Sequence, residues 1–366
     1  MKERDGARIR KIKSEIVGML AERQSLEQSV RTAEKSLVHP SELWSASCSS
    51  FDYLLGLREE SFEKLRLHTY HLTGDNYQTY RFGDPGQFRQ VSNIDGLTDG
   101  IPPEYVLNEP SGGIGFRYDD GRFLSGDIAR FQRVVSTLYR HGLLHDLSKP
   151  GGRRRHLLEI GGGYGGLVHH LSRVCPNLTC VIVDLPETLL FSASYLTLLN
   201  PEKRIYLYDR GSYRRIMRPD VMDKYDFVLI PNYRLQSMRG VQFDVAANIA
   251  SFQEMRTSQV EEYLDFVRKT CTGALYSCNQ DRYPWNAELS NLTELLARRF
   301  LLTEVPDAPQ ERLGPTSSRR RIGKMLRRAA VVSGLLDRPV IPVTQRYREY
   351  VCRPTPEHGN KLVTLV

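Results

Sequence analysis

One stretch restricts this chain more than any other: His156-Leu157-Leu158-Glu159-Ile160, running directly into Gly161-Gly162-Gly163-Tyr164-Gly165-Gly166. The apolar run reads as a buried strand, and Tyr164 to Cys175 reads as the helix that follows it. Glycines this dense lose much conformational freedom on folding, so they point to a place where something must approach the backbone closely. A second strand, Thr179 to Val183, ends at Asp184. An acid at that position can accept both hydroxyl protons of a ribose. Strand, glycine turn, helix, strand and acid together make the frame of a nucleotide-type cofactor site.

Charge separates the two cofactors that use this frame. Gly161, Gly163 and Gly166 match the dinucleotide fingerprint. A dinucleotide would place an anionic pyrophosphate beside Glu159, which repels it. S-adenosylmethionine presents an ammonium and a sulfonium, which a carboxylate attracts. The sequence therefore favours S-adenosylmethionine, with Glu159, Gly161, Gly163, Tyr164, Gly165 and Asp184 as its expected contacts. Asp209, after a third strand, is a further candidate for the adenine end.

The second half alternates strands with helices. After the first two strands come Arg204 to Tyr208 and Phe227 to Ile230, then Ala274 to Ser277, with Phe300 to Val305 and Glu349 to Cys352 as a closing pair. Glu187 to Leu199 and Asn248 to Thr270 read as helices. This pattern predicts an α/β, Rossmann-like domain over 151–366 with a mostly parallel sheet covered on both faces. Residues 1–40 carry a heptad-like stripe, Ile9, Ile12, Ile16, Met19, Leu26, Val30, Ala33 and Leu37, interrupted at Arg23. It serves either a homodimeric coiled coil or a helix packed on its own domain. Residues 41–150 predict a cap: helix from Phe51 to Leu72, a Gly- and Pro-rich loop from Gly83 to Gly115, and helix from Asp127 to Leu147.

Composition excludes several classes. No apolar stretch is long enough to span a membrane, and the charged N-terminus has no signal-peptide core, so a cytoplasmic location is expected. The net charge is +8, and Arg312 to Arg328 holds seven basic residues and no acid. That concentration argues against a nucleic-acid face spread over the fold; the segment is either a solvated loop or a cap favouring an anionic acceptor. The six cysteines show no zinc spacing and read as reduced, buried thiols. His141 and His145 sit four apart on an expected helix but lack a third ligand, so no metal site is expected from them. Of His169 and His170, one is expected exposed and one packed.

The segments LEIGGGYGGL, VIVDLPETLLFSASYL, NIASFQEMRTSQVEEYL and ALYSCNQDRYPWN resemble the sugar O-methyltransferase family, as does the upstream NEPSGG from Asn108 to Gly113. The resemblance implies a class I methyltransferase fold with a seven-stranded sheet, S-adenosylmethionine as cofactor and a sugar hydroxyl as acceptor. It leaves divalent-metal dependence open. A neutral sugar hydroxyl is a poor nucleophile, so a general base would help. No histidine lies between 171 and 357. The acids near the expected cleft are Glu254, in the first turns of its helix, and Asp281, after the fifth strand. Glu254 is the preferred base, and Asn232, after the fourth strand, is expected to face the methyl group. Glu109, Ser111 and Arg282 are expected on the acceptor side. The alternatives are a non-sugar hydroxyl acceptor or a non-catalytic cofactor-fold partner.

Overall fold

The computed structural model describes residues 3–29, 37–149, 152–306 and 347–355. The basic segment 312–328 lies outside them.

The centre is an eight-stranded sheet. Its strands in chain order are β1 (Arg155–Ile160), β2 (Leu178–Asp184), β3 (Ile205–Leu207), β4 (Phe227–Pro231), β5 (Phe243–Ile249), β6 (Cys271–Gln280), β7 (Phe300–Glu304) and β8 (Tyr347–Pro354). Their spatial order is β3-β4-β2-β1-β5-β6-β8-β7. All neighbours are parallel except β8, which runs antiparallel to both β6 and β7. The inner strands are apolar almost throughout because both faces are covered: every residue of β2 is buried. The chain leaves β1 toward β2, β4 and β3, then returns to place β5 on the other side of β1. Such a reversal opens a crevice at the carboxyl ends of the two central strands, where ligands bind in open α/β sheets.

The sheet corrects the expected strand set in one place: β5 is an additional strand, which makes eight strands instead of seven. It lies beside β1, and its end, from Asn248, had read as the start of a helix. Ala246 and Ala247 are good helix formers in isolation. Wedged between β1 and β6 with no exposed surface, they are extended instead. The helix expected from Asn248 begins only at Thr257 and runs to Thr270.

Four other helices position the site: α1 (Glu3–Ser29), α2 (Gly126–Arg140), α3 (Gly166–Val174) and α4 (Pro186–Leu199). Helix α1 packs on α4 and buries Ile9, Ile12, Ile16 and Met19. Arg23, the break in the stripe, donates to both carboxylate oxygens of Glu187 at 2.9 and 2.6 Å. The described part of the stripe from Ile9 to Met19 is thus buried within the chain, while Val30 and Ala33 lie outside the described residues. Helix α2 is capped by Ser125, which accepts from the Ile128 amide at 3.0 Å. It ends at His141, and Gly142 adopts φ 75°. His145 therefore belongs to a separate short helix, and the expected two-histidine face does not form. His169 and His170 are both buried, not one of each. All six cysteines are buried and free.

Residues 49–98 are neither one long helix nor a loop. They form short turns of helix, including Tyr77–Phe82, Pro85–Ser92 and Ile94–Thr98. Asn76 and Asp84 cap two of them, accepting from the Gln78 and Gln87 amides at 3.0 and 2.6 Å. Gly83 and Pro85 punctuate helices here.

One buried cation joins this cap to the sheet domain. Arg66, 3% exposed, donates to Glu109 at 2.7 Å, lies 3.0 Å from Asp127 and 3.9 Å from Asp75, and its guanidinium stands 4.4 Å from the Tyr164 ring centroid. Removing one member of a buried ion cluster leaves the others uncompensated. Arg66→Met is expected to cost about 3–5 kcal/mol of folding stability. Urea denaturation checks this: an unchanged midpoint would show the cluster contributes no net stability.

Candidate active site

A cavity of about 1460 Å³ opens at the carboxyl ends of the central strands. Ligand pockets commonly measure roughly 300–1,000 Å³, so this one has room for two molecules. Its floor is Glu159, the Gly161–Tyr164 turn, Asp184, Asn232 and the exit of β5. Pro40, Ser41 and Trp44, residues 70–75, residues 90–93 and the face of α2 bearing Arg130 and Arg133 complete the wall.

The glycine turn is forced by contact. Gly161 has φ 71°, and a Cβ there would lie 2.0 Å from the Ser251 hydroxyl. Gly163, at φ 55°, directs its amide onto Asp184 Oδ2 at 2.9 Å, and the Leu185 amide holds Oδ1 at 2.8 Å. No Cβ clash arises at Gly163, which faces open space. Tyr164 lines the wall and is held from behind by Arg66. Gly165 caps α3 at its foot and does not line the cavity.

The electrostatics at the turn are unusual. Glu159 is 4% exposed, and its Oε2 has no hydrogen-bond partner among the described residues. Burial, with the nearby Asp184 charge, pushes its carboxyl up to about 8. Burial also raises Asp184 to about 6, against the hydrogen bonds it accepts. Two adjoining buried acids without a cation fit a ligand that brings positive charge and hydroxyl donors. Asn232 supplies a neutral acceptor. Its amide nitrogen donates to the Leu37 carbonyl at 2.6 Å, while its buried Oδ1 is unpartnered. It follows β4, two strands from β1, and lines the cavity. Asp209, the expected adenine contact, lies outside the cavity, where it accepts from the Gly211 amide at 3.1 Å.

The β5 exit is the second half of the site. Asn248 locks it: its side chain donates to the Ile160 carbonyl at 2.9 Å and accepts from the Phe252 amide at 3.0 Å. Ala250 is held at φ 55°, a left-handed conformation that a side chain disfavours and that clusters at functional sites. Glu254 ends the 3₁₀ turn Phe252–Glu254, ahead of the helix and not in its first turns as expected. Its side chain lines the cavity, and Oε2 accepts from the Trp44 indole at 3.0 Å. Burial pushes the carboxyl up to about 7, while the Trp44 hydrogen bond and Arg130 pull it down. That places its proton exchange near neutrality, where a general acid or base is most effective.

The other candidates lie elsewhere. Asp281 pairs with Arg348 at 2.8 Å and accepts from the Thr293 amide at 3.1 Å, anchoring the turn that follows β6. Glu109 is in the Arg66 cluster, and Ser111 and Arg282 are exposed; none of these four lines the cavity. Sequence reasoning missed Trp44, Asp75, Arg130, Ser251 and Tyr347, which do line it. Only Ser251, within SFQEM, stood in a quoted motif. Among the described residues, no group of three or more His, Cys, Asp or Glu could hold a metal ion, and no helix is long and apolar enough to cross a membrane.

The sheet order, the reversal beside β1 and the glycine turn make this a Rossmann-like α/β fold. No family model and no curated protein matches the chain. Among solved structures, it is similar to an O-methyltransferase family protein from Burkholderia thailandensis, at 16% identity over 63% of this chain and 60% of that one, with a TM-score of 0.29. It is also similar to the N-methyltransferase NodS of Bradyrhizobium japonicum, solved with S-adenosylhomocysteine, at 15% identity over 62% and 88% with a TM-score of 0.32. A third is phosphoethanolamine N-methyltransferase 2 of Haemonchus contortus, solved with S-adenosylmethionine, at 11% identity over 59% and 53% with a TM-score of 0.32. This chain thus spans less than two thirds of the length of the first and third. Likenesses this distant carry no activity or substrate across.

The raised acids set a pH dependence. Folding favours the protonated forms of Glu159 and Asp184, so their contribution to stability is fully present below about pH 4 and is lost as pH rises through about 6 and then 8. Without added ligand, the melting temperature is expected to fall between about pH 5 and 8.5, and Glu159→Gln to flatten the upper part of that slope. Differential scanning fluorimetry decides; an unaltered slope in the variant would reject the assignment.

Proposed function

We propose that the chain is an S-adenosylmethionine-dependent O-methyltransferase acting on a sugar hydroxyl. The observation that carries the cofactor reading is the unpartnered Glu159 carboxylate beside Asp184 at the glycine turn. A dinucleotide pyrophosphate would meet two acids there; a methionine ammonium would be welcomed by them. Asp184 would take the ribose hydroxyls, Gly161 and Gly163 would allow close approach, and the free Asn232 oxygen suits the adenine amino group. The bound cofactor supplies an electrophilic methyl group on a sulfonium.

The chain's own contribution is proton transfer and alignment. Glu254 is positioned as the general base, taking the acceptor hydroxyl proton as the oxygen attacks. Holding the acceptor in line can lower the barrier by about 7 kcal/mol or more. The acceptor end mixes aromatic and amide side chains, among them Tyr70, Gln90, Asn93, Gln253 and Tyr283. Such a lining supports a polyhydroxylated ring, which needs both hydrogen bonds and a flat apolar face.

Two measurements test the reading. Isothermal titration should give micromolar S-adenosylhomocysteine binding and none for NAD; NAD binding would overturn the cofactor assignment. Glu254→Gln should lower methyl transfer to glycosides or nucleotide-sugars by about 10²-fold or more, with S-adenosylhomocysteine affinity kept within about twofold. Normal turnover in that variant would remove Glu254 from the mechanism. Turnover of phenols but not of saccharides would reassign the acceptor to a non-sugar hydroxyl.

A further inference from the structure

Glu254 is held by a segment more than two hundred residues upstream. Residues 37–44 run along the cavity wall, where Pro40, Ser41 and Trp44 line it. The segment is fixed at both ends of its course. The Leu37 carbonyl accepts from Asn232, the His39 carbonyl accepts from Arg256 and Gln259 at 2.9 Å each, and the Glu42 amide donates to Glu288 at 2.8 Å. Between these anchors two bonds converge on one residue. The Ser41 hydroxyl donates to the Glu254 backbone carbonyl at 2.7 Å, and the Trp44 indole donates to Glu254 Oε2 at 3.0 Å. Ser41 also caps the helix Glu42–Cys48 that carries Trp44. One device therefore sets both the turn and the carboxylate.

The chemistry of the donor matters. An indole has a single N–H and no acceptor. It can pin one carboxylate oxygen and cannot take a proton from it. Trp44 packs against Phe51 with ring centroids 6.3 Å apart, which fixes the direction of that N–H. We propose that Trp44 is a positioning residue for the transfer reaction, fixing Oε2 of Glu254 so that Oε1 is presented to the acceptor hydroxyl. The proposal rests on Glu254 being the base. It makes the N-terminal segment part of the reacting apparatus as well as a wall.

The groups that face the Glu254 carboxylate are Trp44 from this segment, Asp184 from the end of β2, Arg130 from α2 and Tyr347 from β8. Only the Trp44 bond is removed by Trp44→Phe, which keeps most of the ring packing. Without that donor the ionised carboxylate is less well stabilised, so the Glu254 titration is expected to move up by about one pH unit. Carbon-13 NMR of glutamate-labelled protein, saturated with S-adenosylhomocysteine and assigned by Glu254→Gln, reads this without any acceptor. With a saccharide acceptor that turns over, the acid limb of kcat should move by the same amount and kcat fall about tenfold, with the KM for S-adenosylmethionine within about twofold. An unmoved titration in folded Trp44→Phe would overturn the proposal, as would an unmoved acid limb. If Trp44→Phe fails to fold, Ser41→Ala loosens the same turn and should lower kcat several-fold at unchanged cofactor affinity; unchanged kcat would overturn the proposal equally. Normal turnover by Glu254→Gln would sink the base assignment and this role with it, whereas an inactive Glu254→Gln beside an unmoved Trp44→Phe would sink this role alone.

Discussion

The Arg66 guanidinium is the contact on which the rest of the architecture turns. A charge this deeply buried is tolerable only if its surroundings compensate it. Glu109 and Asp127 do so directly, with Asp75 at longer range, and each comes from a different part of the cap. Asp127 stands in the first turn of α2, where a carboxylate is also favoured by the helix dipole. The open face of the guanidinium rests on Tyr164, the residue inside the glycine turn. A single side chain thereby sets where α2, the Glu109 loop and the glycine turn meet.

The acids in the cavity are the counterpart of this arrangement. Arg66 is matched by carboxylates, whereas Glu159 has an oxygen that nothing among the described residues satisfies. Asp75 lines the same cavity, and burial raises its carboxyl to about 6. Glu159, Asp184, Glu254 and Asp75 all have raised proton affinity, each chiefly through loss of water. Titratable groups shifted in this way and gathered in one cleft make it the candidate functional site. The left-handed Ala250, between β5 and the Glu254 turn, stores strain in the same place.

Much of the glycine-turn side of the cavity was legible in the chain. Glu159, Gly161, Gly163, Tyr164 and Asp184 all line the cavity because strand, turn and helix are local structures, set by neighbours in sequence. The opposite side was legible in part. Glu254 lines the cavity, but Asp281, Glu109, Ser111 and Arg282 do not. Residue type and a nearby strand end were the only signals for these four. Asp281 had an arginine beside it in sequence, yet its actual partner, Arg348, comes from a strand far along the chain. The cap was misread for a related reason. Its glycines and prolines do mark breaks, but whether the pieces between them are helical depends on caps such as Asn76 and Asp84 and on packing.

The sequence by itself determined the α/β class, the glycine turn with its flanking acids, and the apolar stripe of α1. Each follows from periodicity or from the backbone freedom of glycine over a few neighbouring residues. Only the tertiary structure decided that β5 lies beside β1, that the stripe packs on α4, and that Trp44 reaches Glu254. Strand order and long-range hydrogen bonds depend on which surfaces are left to bury once the local elements have formed, and no local pattern encodes that.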